Sequence, residues 1–263
     1  MFSEHLSDIK GLIIDMDGVL WRDSEPIGNL IKNFDQIKSI GLKFVLATNN
    51  ATRTIAEHQA KLKSFGVEVP NDQILGSGQA TGIYLRKKFG AGTRVYVVGQ
   101  PSLITTMEEF GLEVVSDLQA DVDVVVVSFD YNFNYTKLST ASLLVQRGSV
   151  LIGTNSDLTL PTPEGLMPGA GVNLRAVELA SNQSAIVVGK PEPLLYQMAL
   201  ERLELLPSET LAIGDRFETD IVGAQRAGIP AALVLSGVST LADVENFHPK
   251  PDIIANNLGE LIF

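Results

Sequence analysis

The chain of 263 residues is 45% hydrophobic and 19% charged, enough apolar material for a sizeable core and too much for a disordered chain. It has no cysteine, which excludes disulfides, thiolate metal sites and a cysteine nucleophile, and its 20 basic against 31 acidic residues, a net charge of −11, argue against nucleic acid or an anionic membrane as partner. The opening MFSEHLSDIK has no apolar run of signal-peptide length, and no later segment approaches the roughly 18 apolar residues of a membrane helix, so the expected compartment is the cytoplasm.

The first predicted element is a strand, Gly11 to Asp15, an apolar run ending in acid. Ile27, Leu30, Ile31, Phe34, Ile37 and Ile40 follow at helical spacing and stop at Gly41. Lys43 to Thr48 reads as a second strand, and Thr54 with Glu57 has capping-box spacing ahead of a helix through Leu62 and Phe65 that ends at Gly66. The alternation continues with strand Arg94 to Val98, helix Leu103 to Phe110, strand Asp123 to Ser128, helix Tyr135 to Arg147 and strand Val150 to Thr154. Asn155 to Gly171, with three prolines and three glycines, reads as a long loop of the kind that is functional or lies between domains. A strand near Ala185 to Val188, a helix after Pro193, strand Thr210 to Ile213, a helix after Thr219 and strand Ala231 to Leu235 complete the pattern. Strands this apolar on both faces belong in parallel sheets covered by helices, so the expected fold class is α/β.

Open parallel sheets bind ligands at the C-terminal ends of their strands, and four such ends carry polar residues here. They are Asp15-Met16-Asp17-Gly18, Thr48-Asn49-Asn50, Gly189-Lys190-Pro191, and Gly214-Asp215 with Asp220 five residues on. A lone D-x-D-G is as readily an Asx-turn closing a strand. If all four ends meet at one edge, however, Asp15, Asp17 and Asp215 place three mutually repelling carboxylates within reach of one cation. A hard cation that prefers oxygen, Mg²⁺ above all, resolves that repulsion and keeps positions open for a phosphate oxygen. Gly18 suits a turn whose backbone must approach a ligand closely.

The four motifs in this order, DMDGVLW at 15–21, ATNN at 47–50, GKPEP at 189–193 and GDRFETDIVGA at 214–224, resemble the haloacid dehalogenase (HAD) superfamily. The branch they resemble is that of phosphatases with a large α/β cap, which includes the bacterial NagD and 4-nitrophenylphosphatase-like enzymes. The resemblance implies a HAD-like Rossmannoid core with a parallel sheet, residues 1–79 and 175–263, and an inserted α/β cap, residues 80–174. It implies Asp15 as nucleophile, Asp17 as general acid and base, and Thr48 and Lys190 as holders of the phosphoryl group. Asn49 and Gly18 are read from their positions as further substrate-binding residues, and Asp15, Asp17 and Asp215, with Asp220 possible through a water, as the Mg²⁺ site. The implied partner is a small phosphorylated metabolite, with a homodimer through the cap as an arrangement left open.

Elementary chemistry agrees with these roles. A carboxylate attacking phosphorus splits one hydrolysis into two displacements, and an acid at position 17 favours hydrolysis over preservation of the phosphoaspartate. The 141 residues between Thr48 and Lys190 exceed what a βα core needs, so a second domain is expected there. Thr154-Asn155-Ser156-Asp157 is the expected cap segment facing the core, with a structural Asx-turn the leading role for Asp157. Asp220 is balanced between complementing a helix dipole and serving the metal, and Arg216 between local pairing and substrate. Trp21, the sole tryptophan, is expected to pack beneath the site; His5, His58 and His248 are expected at the surface. Two rivals stay open: a phosphotransferase or phosphomutase on the same fold, and a receiver-type phosphoacceptor domain, which the large insert disfavours.

Overall fold

The computed structural model describes residues 8–118, 121–162 and 165–262, so His5 lies outside the described residues. The elements run, in chain order, β1 (Gly11–Ile14), β2 (Trp21–Arg22), β3 (Glu25–Pro26), α1 (Leu30–Ser39), β4 (Lys43–Thr48), α2 (Ile55–Ser64) and β5 (Ile74–Gly76). There follow α3 (Ser77–Phe89), β6 (Arg94–Val98), α4 (Pro101–Glu109), β7 (Glu113–Val114), β8 (Val124–Val127), α5 (Tyr135–Gln146), β9 (Val150–Gly153), β10 (Thr159–Thr162), β11 (Gly165–Pro168), α6 (Ala170–Ser181) and β12 (Ile186–Val187). The chain closes with α7 (Pro193–Leu203), β13 (Thr210–Gly214), α8 (Val222–Arg226), β14 (Ala231–Val234), α9 (Leu241–Asn246), β15 (Ile253–Ala255) and α10 (Leu258–Ile262).

Contacts divide the chain into two compact units, one formed by the residues up to Thr48, Ile55–Leu75 and Lys190 onward, the other by Asn49–Thr54 and Gly76–Gly189. In the first, the strands form one sheet in the order β15-β14-β13-β1-β4-β5. β1 pairs in parallel with β13 and β4, Gly11 opposite Thr210 and Lys43, so Ile14, Ile213 and Leu46 stand level and the residues after them emerge side by side. The chain leaves β1 for β4 on one flank and returns to β13 on the other. That makes the β1/β13 boundary a topological switch point, the usual ligand crevice of such sheets. Leu12, Ile14, Leu46 and Leu211 share one face of the sheet and bury completely, with Phe34 of α1 against Phe44 at 5.2 Å between ring centroids, while Ile13, Val45 and Ala212 are buried on the other face. α1 starts where Asn29 accepts the Lys32 N–H at 3.0 Å, an N-cap that satisfies one orphan donor. Of its apolar stripe, Ile31 and Ile40 are exposed.

The second unit has its own parallel sheet, β12-β9-β8-β6-β7, around a core of Val98, Val125, Val127, Leu144, Leu151, Leu174 and Val177. Because Leu174 and Val177 of α6 lie in that core, the second unit runs on to Gly189, beyond the boundary at residue 174 that the resemblance implies. The segment 155–171 is not wholly a loop: β10 and β11 pair antiparallel, Thr159 opposite Pro168. Prolines hide such a ribbon from sequence reading, yet a two-stranded edge tolerates them where no ladder donor is needed. Helix α3 is hidden by its glycines; at Gly82 a Cβ would lie 2.2 Å from the Phe110 ring, so close packing demands the residue that weakens the helical pattern. His58 is buried on α2 rather than exposed, its position falling on the helix face that also carries the buried Leu62, while His248 is exposed. No helix among the described residues is long and apolar enough to cross a membrane.

Candidate active site

At the C-terminal edge of the first sheet the carboxylates of Asp15, Asp215 and Asp220 lie within 4.8 Å of one another, all buried. Asp15 follows β1, its N–H donating to the Ile213 carbonyl at 2.8 Å, which extends the β1/β13 pairing by one residue and aims both strand ends at the same place. Asp215 follows β13 and is held from the other side: the Val238 N–H donates to its Oδ2 at 2.7 Å, and the Ser239 N–H to its carbonyl at 3.0 Å. Close approach there requires glycine. A Cβ on Gly18, whose φ is +84°, would sit 2.4 Å from Asp215 Oδ2, and one on Gly237 only 1.8 Å away.

Asp220 arrives by a different device. Phe217–Ile221 form a π-helical turn, a rare geometry often found at functional sites. The Arg216 N–H donates to Asp220 Oδ2 at 3.0 Å, the Tyr196 hydroxyl to its carbonyl at 2.9 Å, and the Phe217 N–H to Ser239 Oγ at 2.9 Å, which pins the turn at three points. Lys190, buried, projects its Nζ into the carboxylates, 2.5 Å from Asp15 Oδ1, 2.6 Å from Asp220 Oδ1 and 3.1 Å from the Ala47 carbonyl.

Three carboxylates around one ammonium leave two negative charges without a partner in the group. Burial, reinforced by the charges of Asp220 and Asp215 and opposed by Lys190, pushes the Asp15 carboxyl well above its ordinary range. Asp215 is pushed up to about 7, again first by burial and then by Asp220, against the opposing Val238 N–H. Burial works against the Lys190 charge, but Asp15 and Asp220 outweigh it and hold the ammonium well above its usual value. A divalent cation would balance the two uncompensated charges, and an all-oxygen donor set suits a hard one, so Asp15, Asp215 and Asp220 fit such an ion.

The other sequence-predicted positions are not members of this group. The Asp17 side chain lies outside the three-carboxylate group; it is exposed and its Oδ1 accepts the Trp21 indole N–H at 2.7 Å. Trp21 itself is fully buried. Thr48 is buried at the end of β4, one strand over from Asp15. Asn49 begins the second unit, where its Nδ2 lies 3.3 and 3.1 Å from the two Asp157 carboxylate oxygens and its carbonyl accepts from Asn155 Nδ2 at 2.8 Å. The Asx-turn there belongs to Asn155, whose Oδ1 accepts the Asp157 N–H at 3.1 Å; Asp157 serves as acceptor for Asn49. Sequence reading passed over Gly237, Val238, Ser239 and Tyr196. Gly237, two residues past the apolar run Ala231–Leu235, was the one signal that could have marked the 237–239 turn.

Comparison with known proteins agrees with this edge. The haloacid dehalogenase-like hydrolase model matches residues 12–113 and a second HAD-hydrolase-like model residues 187–261, together most of the chain and both sides of the carboxylate group. An acid sugar phosphatase of Staphylococcus aureus is 33% identical over 98% of both chains. A 4-nitrophenylphosphatase of Thermotoga maritima superposes with a TM-score of 0.92 at 32% identity, covering 99% of this chain and 98% of that one. A glycerol phosphate phosphatase of Mycobacterium tuberculosis in complex with magnesium gives 0.89 at 31% identity, covering 97% and 78%. With a HAD-like α/β core, a second α/β unit inserted in it and matches of this extent, the chain belongs to the haloacid dehalogenase-like hydrolases, in their NagD-like 4-nitrophenylphosphatase branch, and is a phosphoric monoester hydrolase.

Proposed function

We propose that the protein hydrolyses small organic phosphomonoesters through an aspartyl-phosphate on Asp15, with Mg²⁺ held by Asp15, Asp215 and Asp220. The observation that carries this reading is the buried group of three carboxylates around the single ammonium of Lys190. When bound, Mg²⁺ supplies the positive charge that lets a phosphate dianion approach a carboxylate. Asp15 attacks phosphorus, forming a carboxylate–phosphorus bond as the ester oxygen leaves with a proton from Asp17. Asp17 then takes a proton from water, whose oxygen attacks the phosphorus and frees Asp15 and inorganic phosphate. Lys190, already at Asp15 Oδ1, and Thr48 at the neighbouring strand end hold the non-bridging oxygens as charge develops on them. A carboxylate that neutralises a cation is a poor proton carrier, so the place of Asp17 outside the three-carboxylate group favours its acid–base role.

The named relatives act on a sugar phosphate, an aryl phosphate and glycerol phosphate, which have the phosphoryl group in common and differ in the leaving group. We read the second unit as the cap that discriminates among leaving groups, in keeping with its insertion between the motifs. Phosphate release from a panel of sugar phosphates, glycerol phosphate, phosphoglycolate, nucleoside monophosphates and 4-nitrophenyl phosphate, before and after chelation, tests the proposal. Turnover restored by Mg²⁺ and confined to monoesters is expected; undiminished turnover after exhaustive chelation would overturn the metal assignment.

A further inference from the structure

We propose that Trp21 is a positioning residue for Asp17, its indole N–H fixing the carboxylate in the orientation from which it exchanges protons; the inference rests on the acid–base role given to Asp17 above. The strand–turn geometry makes this contact. Gly18 turns the chain at φ +84°, the Val19 and Leu20 N–H groups donate back to the Met16 carbonyl at 3.3 and 2.9 Å, and the Gly18 N–H donates to the Trp21 carbonyl at 2.8 Å. The indole therefore returns beneath position 17, with Nε1 2.7 Å from Asp17 Oδ1.

The two partners differ in freedom. Asp17 is exposed, and an exposed aspartate exchanges among rotamers within nanoseconds. Trp21 is wholly buried, paired through its backbone with Pro26, and covered by the Lys61 ammonium 4.2 Å from its ring centroid and by the Phe65 ring at 5.9 Å. The contact ties the exposed carboxylate to a ring that is packed on all sides. Because indole nitrogen donates and never accepts, the contact uses Oδ1 as its acceptor and leaves Oδ2 the better placed oxygen to carry the transferable proton. Proton transfer falls off steeply with misplacement, and holding the carrier in one orientation is what the contact contributes. The Lys61 ammonium over the ring also strengthens the indole as a donor by drawing on its electrons.

Trp21 is the only tryptophan, so a tryptophan auxotroph fed β-(3-benzothienyl)alanine replaces this one indole N–H with sulfur throughout the intact chain while keeping the ring shape. Phosphoenzyme formation is then followed in single turnovers with 4-nitrophenyl phosphate, whose leaving group needs no proton, and with the best alkyl ester of the panel, whose leaving oxygen does. The expected result is a fall of about tenfold for the alkyl ester, an unchanged rate for the aryl ester and unchanged KM for both. Equal loss on both esters, as a merely structural role would give, or no loss on the alkyl ester, overturns the proposal. Trp21→Phe, checked for folding by circular dichroism, should show the same selective loss, and neither replacement should slow Asp17→Asn further. Asp17→Asn on the unlabelled chain separates the two readings: if it leaves alkyl phosphoenzyme formation intact, the acid–base role itself falls, whereas loss with Asp17→Asn and none with the analogue overturns positioning alone.

Discussion

At the C-terminal edge of the first sheet, β1 and β13 run out into Asp15 and Asp215, with Lys190 and Asp220 brought to the same place. At the corresponding edge of the second sheet, β8 and β9 run out into Ser128 and Thr154. There the polar groups satisfy each other: Thr154 Oγ1 donates to Ser128 Oγ at 2.7 Å, and Asn173 Nδ2 to the Ser128 carbonyl at 3.0 Å. The buried carboxylate nearby, Asp130, pairs one to one with Lys137 and also accepts the Asn132 N–H, closing a turn. Both edges stand on parallel strands as apolar as Val124–Val127, so the architecture is shared and the chemistry is not. One edge is neutral and internally satisfied. The other gathers three carboxylates around one ammonium and is balanced only by holding protons or by taking up a cation.

Removing the nucleophile from the charged edge should have the largest effect. Asp15→Asn is expected to lower turnover by about 10⁴ or more and to give no phosphoenzyme in intact-protein mass spectrometry after acid quench. A phosphoryl group found elsewhere in that variant would break the contrast between the edges. Lys190→Met comes next: a methionine leaves the three carboxylates facing each other, and breaking a buried pair costs about 3–5 kcal/mol in stability. Denaturant melts should show that loss, and phosphate release should fall by at least about 10², because the phosphoryl oxygens also lose their cation.

Proton competition gives a third handle. Asp215 in the metal-free chain holds its proton up to about 7, against 3.8 unperturbed, and ligation must expel it. Apparent Mg²⁺ affinity by calorimetry should therefore rise with pH up to at least about 7, by up to about tenfold per unit for each proton that ligation displaces. The sign for stability follows from the same shift. The folded carboxyl binds a proton that the unfolded chain has released, so the contribution of Asp215 to metal-free stability declines as pH rises from near 4 toward 7. Thermal melts in chelator should show the decline, and Asp215→Asn should flatten it. Retention of the full slope by that variant would assign the titration to another group.

Glycines distinguish the edges more finely. Gly18→Ala meets both a left-handed φ of +84° and Asp215 Oδ2 at 2.4 Å, so it should cost about 1–3 kcal/mol and weaken Mg²⁺ binding together. Gly90→Ala, in the second unit, has φ +100° but open space around its Cβ, and should cost stability by about 1 kcal/mol or more with turnover unchanged. Equal effects of the two on metal binding would show that Gly18 matters only for its backbone. The smallest effect is expected at the neutral edge, where Thr154→Val breaks one hydroxyl pair for about 1 kcal/mol in a thermal melt and leaves Mg²⁺ affinity as it was.

Much of this arrangement was legible beforehand. Gly11 to Ile14, Lys43 to Thr48 and Thr210 to Ile213 are apolar runs bounded by polar residues, and a parallel sheet is the only common home for them. The order of the four motifs pointed to one family. What escaped had local signals pulling the other way: glycines inside α3, a proline inside β10, and a histidine at position 58 that polarity alone would place outside. The 237–239 turn escaped because its task is to grip Asp215, which lies 23 and 24 positions before the Val238 and Ser239 donors, and nothing in its own composition announces that partner.

Sequence by itself determined that strands of this kind form and that polar residues, some of them charged, follow their ends, because apolar patterning and strand termini are local properties. Which of those charges share a site was decided by tertiary structure. From spacing, Asp17 looks the natural companion of Asp15, and Asp220 is balanced between complementing a helix dipole and serving the metal; in the folded chain Asp220 stands with Asp15 and Asp215, while the Asp17 side chain lies outside that group in the grip of Trp21. The reason is directional. A left-handed turn at Gly18 and a π-turn at 217–221 set where the Cβ atoms of residues 17 and 220 point. Both turns are held by partners far along the chain, Ser236 at the Gly18 carbonyl and Tyr196 at the Asp220 carbonyl, so the direction exists only once those partners have been brought in.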